Sequence, residues 1–495
     1  MTASPKSGVR GQKSVKNHHG LRFLRVLCAS KDSTQSAQRV SVASVLDLFP
    51  PRRTPRVASW LWLGSAALLV GLMFMPGCGG SSSTTTTTTT TPPPVANSIA
   101  VAVNAGPANN AVNAAYVSVE VCNPGGTTTC ATIPDVLVDT GSSGLRILAS
   151  APGVSSLNLT PVTGNGTPVY ECDPYADGYY YIWGQVEQAD VSMAGENATS
   201  VPIQVIAGSA PSITPCGSSG GSNLDTSTAL QANGILGIGP SIQDCGSACA
   251  PPASPVLPFY WLCTSSTTCS SAAQVLTATQ VSNPVAFFNG DDKNGVMLTM
   301  NSVGPSGATT GSGTLYFGIG TQTDNALSSS AKPYALSSNV FSGEVYTSIE
   351  AAYNSVTYPA LLDSAESINF FLDSATVAAY SAGAGISNCQ ANNGVNYYCT
   401  SSALSLPFTA QDTSGDSASQ TLSIGNGATL YNSSVAEGGT NTAFSNLAGG
   451  LALTQDYVIL GMPFFYGRTV YVGIAGKVAP SGVPASAVDF GYWAF

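Results

Sequence analysis

Two short segments recur in this chain in the same order and at the same separation. "VLVDTGSSGL" ends an apolar run on Asp139, and "NGILGIGPSI" follows with Gly237, 98 positions on. "ALLDSAES" ends an apolar run on Asp363, and "VILGMP" follows with Gly461, again 98 positions on. Each segment alone has an ordinary explanation, because Asp, Thr, Ser and Gly after a β-forming run close many hairpins. Two motifs repeated in order at equal spacing predict a duplicated lobe. In each copy, a buried strand then ends on a carboxylate and a tight turn.

The rest of the chain agrees with a β-rich duplication. Only 8% of the 495 residues are charged, while 43% are hydrophobic, with 52 Gly and 31 Pro. Val, Thr, Ser, Tyr and Gly dominate, and long helix-forming runs are missing, so the expected class is all-β with many turns. The length calls for one large or two medium domains. The net charge is −10, and from Cys78 onward the only basic residues are Arg146, Lys293, Lys332, Arg468 and Lys477. A nucleic-acid partner, which needs a basic surface, is excluded.

The N-terminal region reads as an export signal. Residues 1–56 are a basic leader, compatible with a start codon placed too far upstream. Residues 57–78 hold the apolar run "VASWLWLGSAALLVGLMFM" and then "PGC". A positive region, an apolar region and a small residue before Cys78 predict a lipoprotein signal with Cys78 as the lipidated residue. An uncleaved membrane helix is the alternative. Both readings anchor the chain to a membrane and leave the remainder outside the cytoplasm. Residues 79–95, rich in Ser, Thr and Pro, predict an extended tether. Residues 96–278 are assigned to the first lobe, and residues 279–495 to inter-lobe hairpins and the second lobe.

Ten cysteines remain after Cys28 and Cys78 are set aside. Nearest neighbours give the pairs Cys122/Cys130, Cys172/Cys216, Cys245/Cys249, Cys263/Cys269 and Cys389/Cys399. An even number in an exported chain predicts disulfides. The alternative is that Cys245 and Cys249 are metal ligands, but no histidine is near; the expectation is no metal and no cofactor. The only histidines are His18 and His19, both in the leader. Ser-His-Asp triads, Cys-His pairs and His-ligated zinc are therefore excluded from the exported part. Acid–base chemistry is left to carboxylates and tyrosines. "NGDDKNG", Asn289 to Gly295, is read as a turn, since its spacing fits no calcium loop.

These motifs together resemble the pepsin-like aspartic protease superfamily. There, each lobe has a loop bearing Asp-Thr/Ser-Gly, crossed by a strand bearing a hydrophobic-hydrophobic-Gly motif. The resemblance covers residues 96–495 and is strongest to a family of uncharacterised bacterial lipoproteins with this fold. "GTLYFGIGTQTDN", Gly313 to Asn325, resembles the hairpin that links the lobes. The resemblance implies an all-β, bilobal pepsin-like fold of two related six-stranded-type lobes around a cleft, and a monomer. It implies that Asp139 and Asp363 form a catalytic dyad acting on a peptide or protein in the cleft. Thr140 and Ser364 match paired hydroxyls that lock the two loops, Gly141 admits close backbone approach, and Ser142 matches a hydroxyl bonded to the first aspartate. "YADGYYYIWGQV" supplies the flap candidates Tyr175 and Tyr179; an exposed aromatic hairpin is the other reading. The implied location is the bacterial cell envelope, as a periplasmic or outer-membrane lipoprotein.

The second loop departs from the family pattern. Ala365 stands in place of glycine and Glu366 in place of Thr or Ser. The alanine methyl is expected to crowd the loop, and the third carboxylate to add like charge beside the dyad. Two functions follow, an exported aspartic endopeptidase or a non-catalytic pepsin-like module that binds peptide, glycan or a partner protein at the cell envelope; a third is a purely structural surface lipoprotein.

Overall fold

In the computed structural model, the residues described are 96–126, 128–175, 180–208, 216, 221–341, 344–353, 355–372, 377, 386–450 and 457–495. Cys78, the leader, the apolar run and the tether lie outside them. Among the described residues the fold is all-β, with the same strand plan built twice and only short helical turns between strands.

The first aspartate strand, Cys130–Asp139, shows how the sequence sets the local structure. Its first half alternates exposed and buried residues and pairs antiparallel with Ala115–Cys122. Its last four residues are all buried, and Gly234–Ile238 pairs with them in parallel, with Gly237 opposite Asp139. Strands covered on both faces lose the polar alternation, and "VLV" before Asp139 is the result. Burying each such Val or Leu contributes about 1.5–3 kcal/mol. The second lobe repeats the plan. Val356–Leu362 pairs antiparallel with Glu344–Tyr353, and Ala360–Leu362 runs parallel to Val458–Leu460.

A further antiparallel array draws on distant parts of the chain. Its order is Ser98–Val103, Gly311–Phe317, Gly295–Met300, Thr469–Gly473, Tyr492–Ala494 and Pro333–Ala335. The segment resembling a linking hairpin thus contributes a strand of this array. The main hydrophobic core runs from Val101 through Leu236 and Leu362 to Trp493, so the lobes share one apolar interior. Disulfides join Cys122–Cys130, Cys172–Cys216, Cys245–Cys249, Cys263–Cys269 and Cys389–Cys399.

Candidate active site

The two aspartates are brought together by backbone crossings that require glycine. At Gly237 a Cβ would lie 2.8 Å from the Gly144 carbonyl oxygen. At Gly461 it would lie 2.2 Å from the Ile368 oxygen and 2.7 Å from that of Glu366. In each lobe the loop after the aspartate passes over the crossing strand with no room for a side chain. The loops are then tied down, since the Gly239 amide donates to the Ser142 carbonyl at 2.7 Å and the Met462 amide to the Glu366 carbonyl at 2.7 Å.

Thr140 and Ser364 interlock the two loops reciprocally. The Thr140 amide donates to Ser364 Oγ at 3.1 Å, and the Ser364 amide to Thr140 Oγ1 at 3.0 Å. Thr140 Oγ1 donates to the Leu362 carbonyl at 2.9 Å, and Ser364 Oγ to the Val138 carbonyl at 2.7 Å. Both residues are fully buried. Four buried bonds between segments more than 220 residues apart fix the two aspartates relative to each other.

The aspartates have matched surroundings. Asp139 Oδ1 accepts from the amides of Gly141 at 2.8 Å and Ser142 at 3.2 Å. Asp363 Oδ1 accepts from the amides of Ala365 at 2.9 Å and Glu366 at 3.2 Å. The crowding expected from Ala365 is therefore not realised. Its amide reaches the carboxylate as the Gly141 amide does, and its φ is not in the left-handed region. The crowded position is Gly141, where a Cβ would meet Asp363 Cγ at 2.6 Å.

The loops differ at the next residue. Ser142 Oγ donates to Asp139 Oδ2. Glu366, its counterpart, is fully buried and brings a carboxyl group instead of a hydroxyl. The electrostatics split accordingly. Burial raises Asp139, while the Ser142 hydroxyl, the Gly141 amide, a hydrogen bond from Asp363 and the charge of Arg146 pull it down. Burial pushes Asp363 well above the usual carboxylate range, and the charges of Asp139 and Glu366 push it further. The two carboxyls share a hydrogen bond, and burial raises both, Asp363 further because the charges of Asp139 and Glu366 add to it. Two carboxylates this close cannot both ionise, and they titrate as a pair.

Of the flap candidates, Tyr175 ends the strand Thr167–Tyr175, paired through its backbone with Tyr180 of Tyr180–Met193. Tyr179 lies outside the described residues. "NGDDKNG" is braced as a turn, with the Asp292 carboxylate accepting from Thr321 and Gln322. Among the described residues, the one group with metal-ligand spacing is Glu120, Cys122 and Cys130. Both of its sulfurs are committed to a disulfide.

Sequence reasoning missed a charged cluster beside the first loop. Arg146 is fully buried against Glu171, Asp173 and Asp244. The available signal was a lone arginine inside the apolar strand "SGLRIL".

A family model described as "Protein of unknown function (DUF3443)" matches residues 93–495. No curated protein matches the chain. Among solved structures, the aspartic proteinase from Irpex lacteus is similar at 16% identity and a TM-score of 0.40, over 76% of this chain and 94% of that one.

Proposed function

The chain belongs to the DUF3443 family, and from its side chains we propose that it is an aspartic endopeptidase using Asp139 and Asp363. The observation that carries this reading is the carboxyl pair, joined by a hydrogen bond and held by the Thr140/Ser364 interlock. A water held between the carboxyls would lose a proton to ionised Asp139 as it attacks a peptide carbonyl. Protonated Asp363 would donate to that carbonyl oxygen to give a gem-diol; on its collapse the C–N bond would break, the proton on Asp139 would pass to the leaving amine, and a hydroxyl proton would return to Asp363. Such chemistry needs neither metal nor histidine. Turnover is expected to be weak, because Glu366 supplies charge where Ser142 supplies a hydroxyl.

We also propose export and lipidation at Cys78, which would set the protein at the bacterial cell envelope. Five disulfides support an oxidising compartment. Buried Glu366 beside Asp363 favours one second reading, a non-catalytic module that binds peptide or protein in the same cleft.

The test is incubation of the purified protein with a peptide library between about pH 3 and 7, the range in which such dyads titrate. Cleavage that disappears in Asp139→Asn supports the endopeptidase. A folded protein that binds peptides and cleaves none supports the binding module.

A further inference from the structure

Arg146 lies seven residues after Asp139, on the strand Ser143–Leu148, and none of its side chain is exposed. Its guanidinium faces two ways. Nη1 donates to the Ser143 carbonyl at 3.1 Å, in the turn whose previous residue, Ser142, bonds Asp139. Nη2 meets Glu171 at 2.7 Å, Asp173 at 3.0 Å and Asp244 at 3.1 Å, all with fully buried side chains. Glu171 and Asp173 belong to the hairpin strand Thr167–Tyr175. The Glu171 carbonyl accepts from Gln204 Nε2 at 3.0 Å. Asp244 Oδ1 accepts from the Cys245 amide at 2.7 Å and from Tyr260 OH at 2.6 Å, and that hydroxyl accepts from the Val281 amide at 2.9 Å.

One cation with three carboxylates is an unfavourable core. Buried ion clusters commonly stabilise less than apolar side chains of similar volume. Its place in the fold gives a reason for it, because it joins the turn after Asp139 to the strand Thr167–Tyr175, which ends on the flap candidate Tyr175. We propose that Arg146 is a positioning residue of the Asp139/Asp363 site, fixing the first aspartate's turn to the hairpin strand. The inference rests on the dyad reading above. Two further facts support it. The charge of Arg146 acts to lower Asp139. Burial pushes Glu171 well up against relief from the Arg146 charge, with Asp244 and Asp173 raising it further, so the three carboxylates do not act on Arg146 as equals.

The experiment uses the full protein and its Arg146→Met and Arg146→Lys variants, with two readouts. The first is carboxyl-carbon NMR titration of Asp139 and Asp363, which needs no activity. The second is peptide hydrolysis across pH. Loss of the nearby cation should raise the Asp139 midpoint by about 1 pH unit in Arg146→Met. It should lower kcat by about 10- to 100-fold with little change in KM. Arg146→Lys keeps the charge but not the two-sided fork, so the Asp139 midpoint should stay native while kcat falls about tenfold. If Arg146→Met does not fold, Arg146→Lys carries the test. A lysine variant with native kcat, or a folded methionine variant with a native Asp139 midpoint, overturns the proposal. If no form cleaves peptide, the endopeptidase reading fails, and the midpoints of Asp139 alone decide the role of Arg146.

Discussion

Replacing Gly141 with alanine should break the dyad while leaving both aspartates in the chain. The new Cβ would lie 2.6 Å from Asp363 Cγ, 2.8 Å from Oδ2 and 3.0 Å from Cβ. Carbon atoms rest about 3.5–4.0 Å apart, so the two loops must separate by about 1 Å. Asp363 has little freedom to retreat, because its carboxylate is held by the amides of Ala365 and Glu366 and its own amide donates to the Leu460 carbonyl at 3.0 Å. Overpacking of this kind costs about 1–3 kcal/mol. The reduced freedom of the unfolded chain offsets about 0.4–1 kcal/mol of that. The net expectation is a loss of about 1–2 kcal/mol, and a shift of about 1 Å in the dyad should cost about a hundredfold in rate. Thermal melting and peptide hydrolysis measure the two effects. Ala365→Gly is the control: its amide is already in place, so it should lose only about 0.4–1 kcal/mol and gain no activity. A Gly141→Ala protein with native melting and native turnover would refute the close approach of the loops. Faster cleavage by Ala365→Gly would restore the idea that Ala365 is the defect.

The remaining expectations concern charge, pH and cross-links. Glu366→Gln removes a like charge from Asp363, so the alkaline limb of the activity profile should move to lower pH; an unmoved limb would mean that Glu366 does not act on the dyad. Glu366→Thr adds the hydroxyl that Ser142 supplies in the first loop, and a bond to the neutral Asp363 carboxyl contributes about 0.5–1.5 kcal/mol, so kcat should rise by up to about tenfold; unchanged kcat in a folded variant counts against it. Asp363 and Glu171 bind protons more tightly folded than unfolded, so stability should fall as pH rises from the ordinary carboxylate range through their raised values. Asp363→Asn should flatten that slope in melts recorded across pH, and an unchanged slope would remove Asp363 as a cause. Cys172–Cys216 spans 44 residues and Cys245–Cys249 spans 4, so removing the first should cost about 4 kcal/mol and the second about 2 in chemical denaturation. Equal losses would argue against the chain-entropy account.

The architecture was legible because it is written twice. A strand that loses its polar alternation just before Asp139 announces burial on both faces, and a glycine 98 positions later announces a backbone crossing. The cysteine pairs are close in the chain, so adjacency was enough to suggest them. The expectation for Ala365 failed for a geometric reason. The motif identifies which position usually lacks a side chain, but not which of two facing loops sits nearer the opposite carboxylate.

The sequence by itself determined the all-β class, the duplicated loop-and-crossing-strand unit, and the absence of any histidine beyond His19. Those follow from periodicity, composition and repeated spacing, which depend on neighbours along the chain. Tertiary structure alone decided that the Asp139 and Asp363 loops interlock, that Glu366 lies buried beside Asp363, and that Arg146 meets Glu171, Asp173 and Asp244. Protonation depends on which charges and donors surround a carboxyl after burial, and here those groups come from segments up to 98 residues beyond Arg146 and more than 220 residues apart across the two loops. A pattern of apolar residues reports that a position is buried; only the fold brings together the charges it is buried among.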